Sequence, residues 1–587
     1  MKFYYNKRDN SKLFSSLEKK DLVNVSKIQN YIPLYNNFFT LNDSNYNNIN
    51  LDNKFSLYNI YKKETYNKFE GIVISKNSKK ENKQIFFKYS PILDPIKYIV
   101  GTYDMSNVDL LNLPDFKSKN SHPKVRDINN SAYVDSFFTY ITSKLLHEHN
   151  FIHGLDFYGS FLGIKHDFPI NVIDYVDYIN KSEFFHKNNG KLFTLDLSTE
   201  KCNSNTRNFK EKLNINDGII QLSDIKDLTE LDNICLLNEN IQNNPELIFE
   251  NIIKIKKISA SSSDSCSSRS SNTISDIDSS EDNKNNDQSN ESVHNNESDD
   301  ESVDDESASD DNESASDDNE SASDDNESDD NEEEEELIAT IANFPVQIIS
   351  LERCENTLDN LVMKNDISDE EWGSIIMQIL MILITLQKKC HLTHNDLHSN
   401  NIMYNSTKIK YIYYKLDGKY YKVPTYGRIY KIIDFGRAIY KFRGVLMCSD
   451  SYHHKGDASS QYNCEPFFNK NKPRLEPNYS FDLCRLGCSL FDFITDNDCI
   501  DKISSPILKI IAGWCKDDKG RNIMYKNNGK ERYPDFKLYK MIARTVNNHI
   551  PSKVIDNIYF DKYIINKKLT LNQVIMDIDD IPNYTII

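Results

Sequence analysis

The chain has 587 residues, a formal net charge of −19, 38 % hydrophobic residues and 11 cysteines. Such length and apolar content allow one or two folded domains with insertions and exclude a wholly disordered or collagen-like chain. The cysteines are scattered with no C-x-x-C pair, which argues against a disulfide scaffold and for free thiols in a reducing compartment.

The charge is uneven. Residues 260–336 hold 30 Asp and Glu against 2 Lys and Arg, which leaves the remainder mildly basic at +9. A mildly basic body suits phosphate ligands and acidic partners without establishing nucleic-acid binding. The N-terminus, Met1 to Arg8, carries charge but no apolar core behind it, so no signal peptide is expected. The longest fully apolar run is Ile379–Ile384, far short of a membrane span. A soluble, intracellular protein without a membrane partner is expected.

Residues 1–50 are polar, Asn-rich and weakly patterned, and partial order without a catalytic role is expected there. Residues 51–180 form the first patterned stretch. Glu70–Ser75 and Gln84–Tyr89 read as two strands of a hairpin around the polar turn Asn77–Lys83. Ser131–His149 reads as a helix, with Tyr133, Val134, Phe137, Phe138, Ile141, Leu145 and Leu146 on one face. His153–Ile164 reads as a strand or hairpin with Gly turns. The pattern fades over 181–258 and collapses over 259–336, where three copies of Glu-Ser-Ala-Ser-Asp-Asp-Asn start at Glu306, Glu313 and Glu320. That composition cannot bury enough apolar surface to fold and predicts a disordered acidic insertion. Ser309 and Ser316, each followed by acids, would suit an acid-directed kinase acting on this arm.

Order is expected to return over 337–355 with the apolar strand Phe344–Leu351, and to continue as a helical body over 356–587. A helix start is read at Asn356-Thr-Leu-Asp359. Ser368-Asp-Glu-Glu371 is a capping box, followed at helical spacing by Trp372, Ile375, Ile376, Ile379, Leu380 and Leu383, with the end near Lys388-Lys389. Lys410–Val423 reads as a Tyr/Lys-rich hairpin turning at Asp417-Gly418. Aromatics interleaved with Lys can stack on nucleic acid, but a half-buried strand face is the commoner source of this pattern. Nucleic acid is therefore not expected as a partner.

Two motifs carry chemistry. Within His391–Met403, His394, Asp396 and Asn401 keep the spacing H-x-D-L-x-x-x-N. An Asp beside a substrate hydroxyl can orient it and accept its proton, and an Asn carbonyl five residues later can hold a hard Mg²⁺ ion. Downstream, the apolar run Lys431-Ile-Ile ends in Asp434-Phe435-Gly436. Near the C-terminal side, Phe481-Asp482-Leu-Cys-Arg-Leu-Gly487 matches D-x-W-S-x-G at Asp482 and Gly487, with Cys484 in place of Trp. His391, His394 and His398 with Cys390 also invite a zinc reading, but the stretch continues into turn chemistry and offers no second nearby Cys.

Together these segments resemble the eukaryotic-type Ser/Thr protein kinases. The resemblance is nearest to the divergent kinases of large DNA viruses, with a haspin-like element at His394-Asn-Asp-Leu-His398. It covers about 344–487 firmly and 71–163 more loosely. It implies an α+β, two-lobed fold with a β-rich small lobe, a larger helical lobe and the acidic insertion inside the small lobe. It also implies ATP and Mg²⁺ as cofactors and a protein substrate.

By the resemblance, Asp396 is the catalytic base, and Asn401 and Asp434 are the metal ligands. Lys88 is the strand lysine facing the phosphates, and Gly71 is all that remains of the Gly-rich loop. The backbone around Glu352 and Cys354 is the hinge that meets adenine. His398 stands where a Lys contacts the γ-phosphate, and a His there is cationic only part of the time. Asn395 replaces the Arg that meets a phosphate on the activation segment, so that switch is not required. The helix acid that pairs with Lys88 is Asp135 or Glu148. Glu465-Pro466 and Glu476-Pro477 are rival substitutes for A-P-E. A small-molecule kinase of the choline or aminoglycoside type also uses H-x-D-L-x-x-x-N, and a pseudokinase scaffold would tolerate the missing Gly loop.

Overall fold

The computed structural model describes residues 3–195, 337–495, 503–526, 529–566 and 574–586. The acidic repeats and most of 181–258 lie outside the described residues.

The fold is mixed α+β. One seven-stranded antiparallel sheet dominates the first part of the chain. From edge to edge it runs Val25–Gln29, Phe157–Asn171, Ile338–Glu352, Lys80–Pro91, Lys68–Ser75 and Phe55–Lys63, with Phe193–Thr194 beside Ile338–Glu352. The central position of Ile338–Glu352 follows from its sequence. Phe344 to Leu351 is a continuous buried run, as a strand covered on both faces requires. The helix Ser131–His149 packs against this sheet and buries Phe137, Phe138, Ile141 and Leu145.

Residues 3–51 are part of this body, in contrast to the partial order expected of them. Tyr5–Lys7 pairs with Ile49–Leu51, and Val25–Gln29 forms a sheet edge. The Phe3 ring packs against Phe137 at 5.8 Å and Phe442 at 5.3 Å. Asp52 takes Lys144 of the helix at 3.2 Å and Lys76 at 2.6 Å. The N-terminal stretch thus braces the back of the helix Ser131–His149.

The second part is organised on the buried helix Asp369–Cys390. Ser368 caps it by accepting from the Glu371 amide at 3.3 Å, and His391 closes it in the left-handed region. It is the only described helix long and apolar enough to cross a membrane, and 89 % of its apolar window is buried within the fold. Arg428–Ile432 lies against it, paired with Ile402–Ser406. The hairpin Tyr411–Leu416/Lys419–Pro424 turns at Asp417-Gly418, both with positive φ as a type I′ turn demands. It buries Ile412, Tyr414, Leu416, Tyr421 and Val423 on one face.

Candidate active site

The register of two strands builds the centre. Ile402 pairs with Ile432, so Asn401 and Ile433 stand opposite each other, joined by an amide donation from Ile433 to the Asn401 carbonyl at 3.0 Å. Asp434 follows immediately, in the left-handed region at φ 64°. The two residues assigned to a metal therefore leave the same end of one strand pair.

The Asn401 amide nitrogen donates to the Asp396 carbonyl at 2.9 Å and to His398 Nε2 at 3.1 Å. This commits the nitrogen and leaves the side-chain oxygen as the atom a cation could use. The His394 ring reaches the Ile433 carbonyl at 2.9 Å and accepts from the Asp396 amide at 3.3 Å. Asp482, fully buried, accepts from the His394 amide at 3.0 Å and the Asn395 amide at 2.8 Å, which pins the loop from below. Gly487 is closely packed: a Cβ there would meet Trp514 Cβ at 3.1 Å and Cys515 Sγ at 3.2 Å, so its neighbours would have to give way slightly.

Lys88 enters from the sheet. Its ammonium pairs with Asp135 at 2.7 Å and with Asp434 at 2.8 Å. Of the two candidate acids, Asp135 is the partner; Glu148 pairs instead with Lys144. Asp135 also accepts from the Phe435 amide at 2.8 Å, so one buried carboxylate holds both the lysine and the Asp-Phe-Gly backbone. Burial alone would lower the Lys88 pKa, but Asp135 and Asp434 outweigh it and hold it above its ordinary value. Burial likewise opposes ionisation of Asp434, and Lys88 reverses that, keeping the carboxyl below the usual range. The Phe435 ring fits between His394, at 5.2 Å, and Phe138 of the helix, at 4.6 Å.

Asp396 has partners that the motif did not announce. The Tyr539 hydroxyl donates to its Oδ1 at 2.8 Å, and Arg485 Nε donates to that hydroxyl, also at 2.8 Å. Burial would raise the Asp396 pKa, but Arg437, His398, Arg485 and the Tyr539 hydroxyl prevail and hold it below the usual carboxylate value. Tyr539 lies 143 residues from Asp396 on the helix Lys537–Thr545, within the helical body expected over 356–587.

Two assignments change. Gly71 is not in a phosphate loop. It lies inside the strand Lys68–Ser75, paired with Ile60 and Lys83, where a Cβ would strike the Asn59 carbonyl at 2.7 Å. The turn between Phe55–Lys63 and Lys68–Ser75 is Glu64-Thr-Tyr-Asn67, and it has no glycine. His398 does not carry a lysine's charge. Burial pushes its pKa down to about 4, its Nε2 accepts from Asn401, and its Nδ1 is enclosed, so it braces Asn401 rather than reaching out. Glu352 ends its strand with its side chain turned to Lys431 and to the Asp156 amide. Its own amide donates to the Asp156 carbonyl at 2.9 Å. Cys354 is buried, and burial pushes its thiol up to about 12. At the same edge Arg353 pairs with Glu64 at 2.5 Å, linking this segment to that turn.

The site's histidines point to different partners, and among the described residues no group of three or more His, Cys, Asp or Glu side chains is placed to hold a metal. Mg²⁺ does not need such a cage, because it is held by one or two protein oxygens together with substrate phosphates. Glu465 and Glu476 are both exposed, and Glu476 pairs with Arg474.

No protein-family model matches the chain. Over 117 residues it is 27 % identical to the serine/threonine-protein kinase haspin of Mus musculus, a match covering 20 % of this chain and 14 % of that protein. Over 116 residues it is 27 % identical to the haspin of Bos taurus, with the same shares. The chain thus spans 14 % of the length of these curated relatives. In that stretch it is kinase-like.

Proposed function

We propose that the chain is an ATP-dependent protein kinase that transfers the γ-phosphate to Ser or Thr hydroxyls. The observation that carries this reading is the convergence of Asp396, Asn401 and Asp434 on one strand-pair end, with Lys88 held over Asp434 by Asp135. On this reading the sheet region and the helical region are the two lobes of a kinase-like fold, and the nucleotide lies between them.

Each residue then has a task. Asp396 orients the substrate hydroxyl and accepts its proton late, since the transfer state is loose and positioning dominates. Lys88 presents a compact cation to the α/β-phosphates, which would displace its present contact with Asp434. Mg²⁺, held by Asp434 and the Asn401 oxygen, would neutralise charge on the phosphate oxygens. The hinge backbone near Glu352 and Cys354 would meet the adenine edge. Asn395, fully buried, is held by the Tyr462 hydroxyl at 2.7 Å and donates to the Arg437 carbonyl at 3.1 Å, so the loop is fastened to the downstream segment without a phosphate.

A second reading, a scaffold with little transfer activity, is favoured by the lack of a Gly-rich loop: the turn Glu64–Asn67 has no glycine, and its acid Glu64 pairs with Arg353. The deciding experiment is radiolabelled transfer from ATP to basic and acidic proteins, beside choline and an aminoglycoside. Asp396→Ala should lose rate by orders of magnitude while keeping affinity for a fluorescent ATP analogue, and Asp434→Asn should lose both. Transfer only to a small molecule, or none with tight nucleotide binding, refutes the reading.

A further inference from the structure

The segment after Gly436 meets the sheet region at several places, among them Tyr440 and Phe442, and at one of them it brings a carboxylate to the start of the helix Ser131–His149. Asp450, 6 % exposed, pairs with Lys124 and accepts from the Ser131 amide at 3.0 Å, while its own amide donates to the Asn129 carbonyl at 2.7 Å. Ser131 is the first residue of the 19-residue helix Ser131–His149, and the next amide, Ala132, is taken by the Asn130 side chain at 3.1 Å. A carboxylate from 319 residues away therefore satisfies a first-turn donor and sits at the positive end of the helix dipole. Asp135 lies one turn further along. Any fraying of the first turn would move the carboxylate that holds Lys88 and the Phe435 amide.

The same segment is also fastened by the Arg437–Asp457 pair at 2.6 Å and by neutral bonds. The Tyr452 hydroxyl donates to the Arg437 carbonyl at 2.7 Å, and the Tyr462 hydroxyl donates to Asn395 at 2.7 Å. In switchable kinases, phosphorylation of this segment and positioning of this helix control whether the lysine–acid pair forms.

We infer that Asp450 is a permanent positioning residue for the site: its carboxylate holds the first turn of Ser131–His149, and through it Asp135 and Lys88, in the arrangement that other kinases reach by modifying the segment. The charge is built into the chain and is present as soon as it folds. The inference rests on the phosphoryl-transfer reading for its consequence on rate, but the holding of the helix stands on geometry alone.

The test uses the full chain and two readouts: amide hydrogen exchange over residues 131–149 without nucleotide, and steady-state transfer from ATP. In Asp450→Ala, exchange in the first turns should quicken on the order of tenfold, from loss of a cap and of the dipole partner together. kcat should fall by a similar factor. Asp450→Asn, which keeps an acceptor for Ser131 but not the charge, should lie between, and it serves if the alanine variant does not fold. The double variant Lys124→Asp with Asp450→Lys restores an ion pair but puts an ammonium against the helix N-terminus. It should exchange as fast as Asp450→Ala. Wild-type exchange and kcat in Asp450→Ala, or full rescue by the double variant, would overturn the inference. A wild-type chain that transfers no phosphate refutes the proposed function instead, and the exchange arm still decides whether Asp450 holds the helix.

Discussion

Tyr539→Phe isolates one hydrogen bond at the proposed base. The ring itself is well supported: Phe536 stacks on it at 5.4 Å, and the guanidinium groups of Arg485 and Arg437 lie over it at 5.1 and 5.6 Å. Phenylalanine keeps those contacts and removes only the hydroxyl, which donates to Asp396 Oδ1 at 2.8 Å and accepts from Arg485 at 2.8 Å. A hydrogen bond to an ionised group contributes roughly 1.5–3 kcal/mol. Its loss should raise the Asp396 pKa by about 1–2 units, at 1.36 kcal/mol per unit. Asp396 is depressed now, so the acid limb of the pH–rate profile should move up by that amount. kcat at neutral pH should fall about 10- to 100-fold, because the carboxylate loses its fixed orientation. Nucleotide affinity should not change. The assay is kcat against pH from 4 to 8, with a fluorescent ATP analogue titrated beside it. A Tyr539→Phe profile that overlays the wild type would refute the placement of Tyr539 as the group that orients Asp396.

Other outcomes follow from the same geometry. Asp135→Asn keeps an acceptor for the Phe435 amide but removes the buried anion that pairs with Lys88, so it should weaken ATP-analogue binding about tenfold and lower the melting temperature. Asp135→Ala also leaves that buried amide unpaired and should melt lower by about 1–3 kcal/mol more; equal melting of the two variants would contradict this. His153 and His398 are both held neutral by burial, with pKa pushed down to about 4, so the unfolded chain binds more protons and stability falls as pH drops from about 6.5 to about 4. For the fully buried His153 this amounts to about 3 kcal/mol, and thermal denaturation across that range should slope less in His153→Gln. A wild-type melting temperature that is flat across that range would count against it.

Features carried by neighbouring residues were legible in the sequence. The capping box at Ser368 and the turn at Asp417-Gly418 are local chemistry, and local chemistry survives folding. The true neighbour of Gly71 was hidden because Phe55–Lys63 does not alternate cleanly. Its register shifts twice against Lys68–Ser75, near Leu57/Asn59 and Ile60/Lys62, and a bulge breaks the period of two on which strand reading depends. Residues 3–51 looked weakly ordered because much of what they bury is polar. Asn10, Asn30 and Asn45 are buried and satisfied within networks, as where Asn10 donates to Asn30 at 2.7 Å. Asp135 was one of two candidates because its partner lies 47 residues away on a sheet. Its place three residues before Phe138 on an apolar face was the available signal.

The electrostatics around Asp396 also bear on how the proposed transfer would work. A lysine in the loop would put a mobile cation between base and phosphate, and neutral His398 does not. The positive charge comes instead from Arg437, paired with Asp457 at 2.6 Å, and from Arg485 on Tyr539, both fixed by their partners rather than by a substrate. Fixed dipoles and charges cost no reorganisation when the reaction occurs. They also keep Asp396 ionised well below neutral pH and therefore a weak base. A weak base suits a loose transfer state, in which the hydroxyl proton leaves after the phosphoryl group has largely departed from ATP. The charge arrangement thus favours a carboxylate that positions a hydroxyl over one that extracts a proton early, and it does so with two arginines, one directly after Gly436 and one inside the Phe481–Gly487 segment.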